Sequence, residues 1–314
     1  MPFSIIRADI TTMAVDAIVN STSSLPLIGE GVDLSIYRAA GPKLFEARKA
    51  FGVLRTAQAV MTAGYDLCAK SVIHVAGPIH GSATYDEEEM LGRTYRNALG
   101  LALEHGVESI AFPLISAGAF QFPRGRALAI ALEEIKDFLD DHEMMIHLLV
   151  YDDASYQLSR ERFITVASYI DRHGRDAATE PMTDGISYAR IPAERSLDDI
   201  IDEAESTFAE ALFRWIDRKG FDDVSLYKKA NIDRKLFSKI KSNADYQPSK
   251  KTALSFALAL ELNLDETVDF LARAGYALSP SSRFDLIIRY FIERQIYDLY
   301  EINQALFSLT RTSL

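Results

Sequence analysis

The chain has 314 residues, of which 48% are hydrophobic and 25% charged, which is typical of a globular protein with room for two domains. No apolar run is long enough for a membrane span, and residues 1–12 lack the features of a signal peptide, so we expect a cytoplasmic protein with no membrane partner. The net charge of −11 argues against general nucleic-acid coating. The single Cys68 excludes an intramolecular disulfide and a multi-cysteine zinc site, and we expect it to be a buried small hydrophobe.

Strands and helices alternate over the first 170 residues. The six segments predicted as strands are FSIIRADI, DAIVNS, AQAVMTAGY, KSVIHVAG, ESIAFPLIS and MMIHLLVYD. The predicted helices are LSIYRAAG, KLFEARKAFG, DEEEMLGRTYRNALGLALEHG, GRALAIALEEIKDFLDDH and ASYQLSRERFITVASYI. This alternation predicts an α/β fold with a mostly parallel sheet that is covered by helices on both faces.

The pattern changes after residue 171. Residues 172–196 show no sustained periodicity and are predicted to be a linker. Every segment of residues 197–314 then favours helix, which predicts an all-α helical bundle as a second domain. Within it, residues 227–251 hold eight basic and two acidic side chains, so a local basic patch is predicted inside an acidic chain.

Two glycine-containing turns follow predicted strands, GEGVD at residues 29–33 and SAGAFQFP at residues 116–123. Ligands of parallel sheets bind beyond the carboxyl ends of the strands, and glycine lets backbone N–H groups approach an anion closely. The first turn also opens a helix, whose N-terminus favours negative charge. Together the two turns can hold a diphosphate, although each taken singly is equally well explained as an ordinary tight turn.

Residues 1–171 resemble macrodomains, the ADP-ribose-binding modules. The motifs that carry the resemblance occur in the family's order: ADIT, VDAIVN, GEGVD, YRAAGP, GYDLCAKSVIHVAGP, YRNALGLALEHGVESIAFPLISAGAFQFP and VYDD. The likeness is strongest to the subgroup of mono-ADP-ribosyl and O-acetyl-ADP-ribose hydrolases. It implies a three-layer α/β/α macrodomain with a mostly parallel mixed sheet, which takes ADP-ribose or an ADP-ribosylated substrate as its partner.

The resemblance assigns binding roles position by position. Asp9 matches the acceptor of the adenine amino group, Ile10 supplies a backbone contact beside it, and Tyr151 matches the aromatic residue that flanks the adenine. The matched phosphate loops are Gly29, Gly31 and Val32 in the first, and Ser116, Ala117, Gly118, Ala119 and Phe120 in the second. The Phe120 ring is expected near the distal ribose. Three alternatives stay open: Asp9 as a turn cap, Phe120 as a core aromatic, and Tyr151 as an ordinary strand-end residue.

The hydrolytic subgroup usually carries Asn-Ala-Ala-Asn at the end of the strand, where this sequence has NSTS. Asn20 keeps the first Asn, Ser23 replaces the second, and Asp33 is retained at the family's spacing. Asp33 can orient or deprotonate a water near the distal ribose, whereas Ser23 cannot present an amide to that ribose. Glu30 interrupts the glycine run, and we expect it to face solvent. The sequence leaves open whether Asp33 and Ser23 are catalytic or whether Asp33 only stabilises the helix N-terminus.

The remaining candidates in this half of the chain are two histidines. His74 is expected to be a core histidine with satisfied hydrogen bonds, and His80 to be a neighbour of the site. No cluster of His, Cys or Asp has metal-ligand spacing, so neither a metal nor another cofactor is predicted.

The stretch from DVSLYKKAN to FLARAGYAL resembles the helix-turn-helix domain of lambda-repressor-like regulators. In this resemblance VSLYKKAN is followed by a turn that packs Ile232 and by the recognition helix DRKLFSKIKSN. The predicted nucleic-acid contacts are Lys228, Lys229, Arg234, Lys235, Lys239 and Lys241. The alternative is a solvated helix face on a protein-interaction module. The resemblance adds DNA and a second copy of the chain as candidate partners, so three functions compete: hydrolase, ADP-ribose sensor and adaptor.

Overall fold

The computed structural model describes residues 2–82, 84–150, 163–179 and 207–314. Its described residues form two compact units, an α/β unit that reaches Val150 and an all-helical unit from Phe163 to Thr310. Within these ranges, every helix is too short or too polar to cross a membrane.

Six strands form a single sheet in the first unit. They are β1 (Phe3–Ile6), β2 (Ala17–Thr22), β3 (Ala59–Ala63), β4 (Ser71–Ala76), β5 (Ser109–Pro113) and β6 (Met145–Leu149). The strand order is β1-β6-β5-β2-β4-β3, and all neighbours are parallel except β3 and β4. β2 and β4 are buried along nearly their whole length, as expected for strands with helices on both faces. The predicted three-layer α/β/α architecture with a mostly parallel mixed sheet is confirmed.

The helices of this unit divide between the two faces of the sheet. They are α1 (Val32–Ala40), α2 (Pro42–Lys49), α3 (Glu87–Glu104) and α4 (Arg124–Asp141). Ile36 of α1 and Leu44 of α2 are completely buried in a cluster that includes Ala111 of β5. The next residue of β5, Phe112, faces the opposite side of the sheet, where its ring lies 5.5 Å from that of Tyr95 in α3. Each fully buried side chain of this size stabilises the fold by about 1.5–3 kcal/mol.

A crevice opens between the carboxyl ends of β2 and β5. β2 pairs with β4 over six residues, but it pairs with β5 only through Ala17–Ile110 and Ile18–Ala111. The two strands therefore separate towards their carboxyl ends. β3 and β4 lie on one side of β2, whereas β5 and β6 lie on the other, which makes this crevice the topological switch point where α/β sheets bind ligands.

Cys68 is exposed, so the expectation that it is a buried hydrophobe is wrong. It lies on the turn between β3 and β4, where Gly64 N–H donates to the carbonyl of Lys70 at 2.8 Å. The buried part of β4 starts only at Val72, after this turn has ended. Closeness to an apolar strand in sequence did not place Cys68 inside it.

The second unit is entirely helical in the part that the structure describes. Its helices are α5 (Ile164–Thr179), α6 (Phe208–Lys219), α7 (Asp223–Lys229), α8 (Arg234–Ser242), α9 (Lys250–Ala259), α10 (Leu264–Arg273), α11 (Arg283–Glu293) and α12 (Leu299–Thr310). Aromatic side chains fill its core, with the Phe208 ring 5.0 Å from that of Phe270 and the Phe237 ring 6.1 Å from that of Phe256. The predicted all-α domain is confirmed as a fold class.

α5 belongs with these helices. Its Tyr169 hydroxyl donates to a Glu293 carboxylate oxygen of α11 at 2.8 Å, and Thr165 is hydrogen-bonded to the Tyr290 hydroxyl at 3.1 Å. Residues 163–171, which the sequence assigned to the first domain, therefore pack in the helical unit. The helix continues through Thr179 into the predicted linker, and residues 180–196 of that linker lie outside the described residues.

Candidate functional site

Two loops border the crevice between β2 and β5. We call residues 23–31, between β2 and α1, loop 1, and residues 114–123, between β5 and α4, loop 2. Loop 1 ends at Gly31, whose φ of 63° lies in the left-handed region that favours glycine. Glu30 is exposed, as the sequence predicts, so its carboxylate stays in water. Gly29 and Val32 lie on either side of this turn.

Both loops lead into helices whose N-termini have no side-chain cap within the described residues. α1 follows Gly31 and α4 follows Pro123, and in neither helix does a side chain accept from the first-turn N–H groups. α3 differs, because the Asp86 carboxylate accepts from the N–H groups of Glu88 and Glu89. First-turn N–H groups without a cap, together with the helix dipole, form a site for an anion. The structure therefore directs two such helix ends at one crevice.

Loop 2 curls back on itself. Ser116 adopts a φ of 61°, and its carbonyl accepts from Phe122 N–H at 3.0 Å. Gly118 and Ala119 are exposed at the tip, Ala117 is buried, and Phe120 is half-buried beside them. A non-glycine residue with positive φ is strained, and such strain concentrates at ligand sites.

Gly77, directly after β4, makes room for loop 2, a role that the sequence analysis missed. A Cβ atom at this position would lie 2.2 Å from Ser116 Oγ and 2.9 Å from Ile115 Cγ2. Three residues later His80 N–H donates to the carbonyl of Phe120 at 3.0 Å, so His80 is a neighbour of loop 2, as expected. The Gly-Pro pair at residues 77 and 78, directly after β4, is the local sequence signal that could have indicated a close approach here.

Asp33 joins loop 1 to β2 from the second position of α1. One carboxylate oxygen accepts from Asn20 Nδ2 at 2.7 Å, and the other accepts from Gly29 N–H at 2.6 Å. Asp33 is 4% exposed and Asn20 is completely buried. The carboxylate therefore holds the glycine turn against the end of β2.

Burial raises the pKa of the Asp33 carboxyl above its ordinary value, and the Gly29 N–H and Asn20 side chain partly offset this effect. The neighbouring side chains are also polar and buried: Thr22 of β2, Tyr37 of α1 and Arg48 of α2. A carboxyl group with a shifted pKa beside a crevice is a candidate acid or base.

His74 of β4 is a satisfied core histidine, as the sequence predicts. It is completely buried, with Nε2 3.0 Å from Thr62 Oγ1 and Nδ1 3.4 Å from Asn20 Nδ2. Burial, assisted by the charge of Arg48, lowers the pKa of His74 to about 3. His74 is therefore neutral at physiological pH and lies behind Asn20, next to the candidate site.

The other predicted site residues occupy different settings. Asp9 is exposed and caps a 3-10 turn by accepting from Thr11 N–H at 2.9 Å, which is the alternative that the sequence left open. Ile10 is buried beside it in the cluster that also holds Ile36. Ser23 is half-buried, and its Oγ accepts from Leu25 N–H at 3.3 Å. Tyr151 lies outside the described residues.

Comparison with known proteins decides the family of this unit. The family model for the Macro domain matches residues 19–131. A macro domain-containing protein of Chlorobaculum tepidum is 47% identical over 136 residues, which cover 43% of this chain and 79% of that protein. The chain belongs to the macrodomain family. An O-acetyl-ADP-ribose deacetylase of Escherichia fergusonii is 41% identical to it over 160 residues, which cover 49% of this chain and 90% of the enzyme.

Solved structures match the same part of the chain. A Trypanosoma brucei macrodomain in complex with ADP-ribose is 34% identical, with a TM-score of 0.46 over 50% of this chain and 66% of that one.

Within the described residues, no group of three or more His, Cys, Asp or Glu side chains is arranged to hold a metal ion.

Beyond the macrodomain, α7 and α8 occupy the positions predicted for a helix-turn-helix, and Ile232 is 1% exposed in the turn between them. Phe237 and Ile240 form the buried side of α8. The basic residues Arg234, Lys235, Lys239 and Lys241 are exposed on it.

Several of the basic side chains predicted to contact nucleic acid already interact with acidic or aromatic side chains of the same unit. Lys229 is paired with Glu261, and Lys241 is paired with Asp223. Lys239 Nζ lies 5.5 Å from the centre of the Tyr246 ring, and Lys228 has further contacts of its own. The basic patch therefore has less capacity for phosphate than the residue count in the sequence indicates.

Proposed function

We propose that the macrodomain binds ADP-ribose across the crevice between β2 and β5, with the diphosphate between loops 1 and 2. The observation that carries this proposal is the pair of uncapped helix N-termini, α1 and α4, that the two loops direct at the crevice. Backbone N–H groups at both ends are suited to the two negative phosphates. Asp9, exposed after β1, is the acceptor we propose for the adenine amino group.

We further propose that the bound substrate is an ester of ADP-ribose, O-acetyl-ADP-ribose being the compound that the names of several relatives state. In this reaction a water oxygen attacks the acyl carbon and Asp33 accepts a proton from that water. The ester bond then breaks, and the ribose oxygen leaves as a hydroxyl after taking up the proton that Asp33 accepted from the water, which leaves acetate and ADP-ribose. The raised pKa of Asp33 brings it closer to that of a general base suited to neutral pH.

The direct test is incubation of the full chain with O-acetyl-ADP-ribose and chromatographic measurement of acetate and ADP-ribose. The proposal predicts turnover by the natural chain and a kcat about 100- to 10,000-fold lower in Asp33→Ala, while that variant still binds ADP-ribose. A folded natural chain that binds ADP-ribose without any turnover would leave a non-catalytic sensor or reader as the function.

We propose a second function for the helical unit, namely DNA binding that ADP-ribose regulates. The observation that favours it is the exposed basic side of α8, with Arg234, Lys235 and Lys239 opposite its buried side. The test is fluorescence anisotropy with a labelled duplex at low and moderate salt, with and without ADP-ribose. Duplex binding that weakens with salt and responds to ADP-ribose supports it, whereas no binding at low salt favours a protein adaptor. Sedimentation in the same buffers tests the homodimer.

A further inference from the structure

Loop 2 contains two residues with a strained backbone. Ser116 has a φ of 61° and Gln121 has a φ of 55°, and neither is glycine. Inside the loop, Gln121 N–H donates to the carbonyl of Gly118 at 2.9 Å, and Phe122 N–H donates to that of Ser116 at 3.0 Å. A residue with positive φ that is not glycine costs free energy, and it persists only where the surrounding structure holds it. Contacts from outside the loop are therefore needed to keep loop 2 in this shape.

His80, in the segment between β4 and α3, contacts loop 2 in two ways. Its backbone N–H donates to the carbonyl of Phe120 at 3.0 Å. Its ring lies edge-on to the ring of Phe122, with the two centroids 5.8 Å apart. These two contacts lie on either side of Gln121 in the chain, so His80 restrains the loop at one of its two strained positions.

The first turn of α3 fixes the side chain of His80. Its Nδ1 lies 2.7 Å from Glu87 Oε2, and this hydrogen bond lowers the pKa of the Glu87 carboxyl below its ordinary value. An ionised carboxylate can only accept, so Nδ1 carries the hydrogen and donates it. The Glu87 side chain is 18% exposed, compared with 48% for that of Glu88. The pair is therefore better shielded from water than an ordinary surface ion pair.

The same turn of α3 also fixes the helix that follows loop 2. Nε and Nη2 of Arg126, in the first turn of α4, each lie 2.6 Å from a carboxylate oxygen of Glu88. Such bidentate pairs have a defined geometry. Because Glu87 and Glu88 are adjacent, one turn of α3 restrains loop 2 through His80 and the start of α4 through Arg126.

We propose that His80 and Glu87 are positioning residues of the ADP-ribose site, which hold loop 2 in the shape that receives the diphosphate. Both act through the Phe120 carbonyl and the Phe122 ring, and neither needs to touch the ligand. The inference rests on the proposed function, since loop 2 positions a ligand only if the crevice binds ADP-ribose. The alternative is that Glu87 only stabilises α3, as an acid in the first turn of any helix does.

Hydrogen exchange of the Phe122 amide in the ligand-free full chain tests the first step, because this N–H closes loop 2 on the Ser116 carbonyl. We expect exchange about three- to tenfold faster in His80→Ala and in Glu87→Ala. In the double variant we expect the rate of His80→Ala alone, because Glu87 acts on the loop through His80. Natural exchange in both single variants, or a double variant faster than either, overturns the inference.

Glu89→Ala is the matched control. It removes the same charge from the same turn of α3, but Glu89 is paired with Arg96 of its own helix. We expect natural exchange at Phe122 in this variant. If exchange is as fast in Glu89→Ala as in Glu87→Ala, the effect belongs to the charge at the start of α3, and the pair with His80 is not its cause.

Steady-state kinetics test the second step. Loop 2 holds the diphosphate before and during the reaction alike, so both alanine variants should raise the KM for O-acetyl-ADP-ribose by about three- to tenfold and leave kcat nearly unchanged. A variant that is merely less stable loses active enzyme, which lowers the apparent kcat at a natural KM. That result overturns the positioning role of His80 and Glu87.

The measurements separate this inference from the proposed function. If the natural chain binds ADP-ribose without turnover, the dissociation constant replaces the KM in the same comparison. If it does not bind ADP-ribose, the proposed function fails together with the ligand part of the inference, and the Phe122 exchange still decides whether His80 and Glu87 hold loop 2. Faster exchange with an unchanged affinity overturns the positioning role.

Discussion

The polar groups at the crevice of the macrodomain differ from those of the helical unit in whether the helix N-termini and charged side chains already have partners. Around the crevice, α1 and α4 start without side-chain caps, so their first-turn N–H groups have no side-chain acceptor among the described residues. In the helical unit, six consecutive helices from α6 to α11 start with a side-chain cap. Lys229 and Lys241 are moreover already paired with acids.

This difference shows where the chain has kept binding capacity. Satisfied caps and ion pairs stabilise a fold, and they leave few strong donors for a ligand. Donors without a partner cost stability and are kept where a ligand repays that cost. The macrodomain crevice is therefore the more specific candidate site, although the basic residues of the helical unit are more conspicuous in the sequence.

The largest expected effect comes from Asp33→Ala. Because Asp33 is the general base of the proposed reaction, its loss should lower kcat on O-acetyl-ADP-ribose by about 100- to 10,000-fold. Steady-state kinetics of acetate release measure this, and ADP-ribose titration of the same variant separates lost chemistry from lost binding. A decrease smaller than about tenfold would remove Asp33 from the chemistry.

Gly77→Ala tests whether the shape of loop 2 matters. The added Cβ would meet Ser116 Oγ at 2.2 Å, so we expect a loss of about 1–3 kcal/mol in unfolding free energy together with weaker ADP-ribose binding. Gly118→Ala is the matched stability control, since its Cβ would meet nothing within 4 Å. Equal urea midpoints for the two variants would show that loop 2 does not depend on Gly77.

The ionisation of Asp33 gives a smaller, pH-dependent effect on stability. Its pKa is raised in the folded state, so its contribution to stability is fully present below the unfolded-state pKa and is lost as pH rises through the folded-state pKa. The natural chain should therefore lose stability relative to Asp33→Asn as pH rises from the unfolded-state pKa of about 4 through the higher folded-state pKa. Urea denaturation of both proteins across this range measures the difference, and a constant difference would contradict the raised pKa.

The smallest effects are expected in the helical unit. Lys241→Gln should change unfolding free energy by about 0.2–1 kcal/mol, because its pair with Asp223 is exposed. If the unit binds DNA, Arg234→Gln should reduce the salt dependence of binding by about one phosphate contact, and Lys241→Gln should do so less. If the salt dependence of DNA binding is equal in the two variants, the pair with Asp223 does not prevent Lys241 from contacting a phosphate.

The sequence predicted the parts of this molecule that depend on local pattern. Alternating apolar segments identified the six strands, and the glycine turns located both loops at strand ends. Gly31 is informative because its conformation is local, and the spacing from Ser23 to Asp33 can be counted directly along the chain.

Other features depend on residues that are distant in sequence. Arg48 belongs to a helix with other charged residues, and nothing in the surrounding residues indicates that its side chain turns under Ser23. The pair of Lys229 with Glu261 and the contact of Gly77 with Ser116 likewise become visible only once the helices and strands are packed. Cys68 shows the converse, because an apolar neighbourhood in sequence did not bury it.

The central claim is that the crevice between loops 1 and 2 binds ADP-ribose, and calorimetric titration of the full chain with ADP-ribose tests it most directly. The account predicts one site per chain with a dissociation constant in the micromolar range, and weaker binding in Gly77→Ala. A folded chain that gives no binding heat and no thermal shift at millimolar ADP-ribose would contradict it.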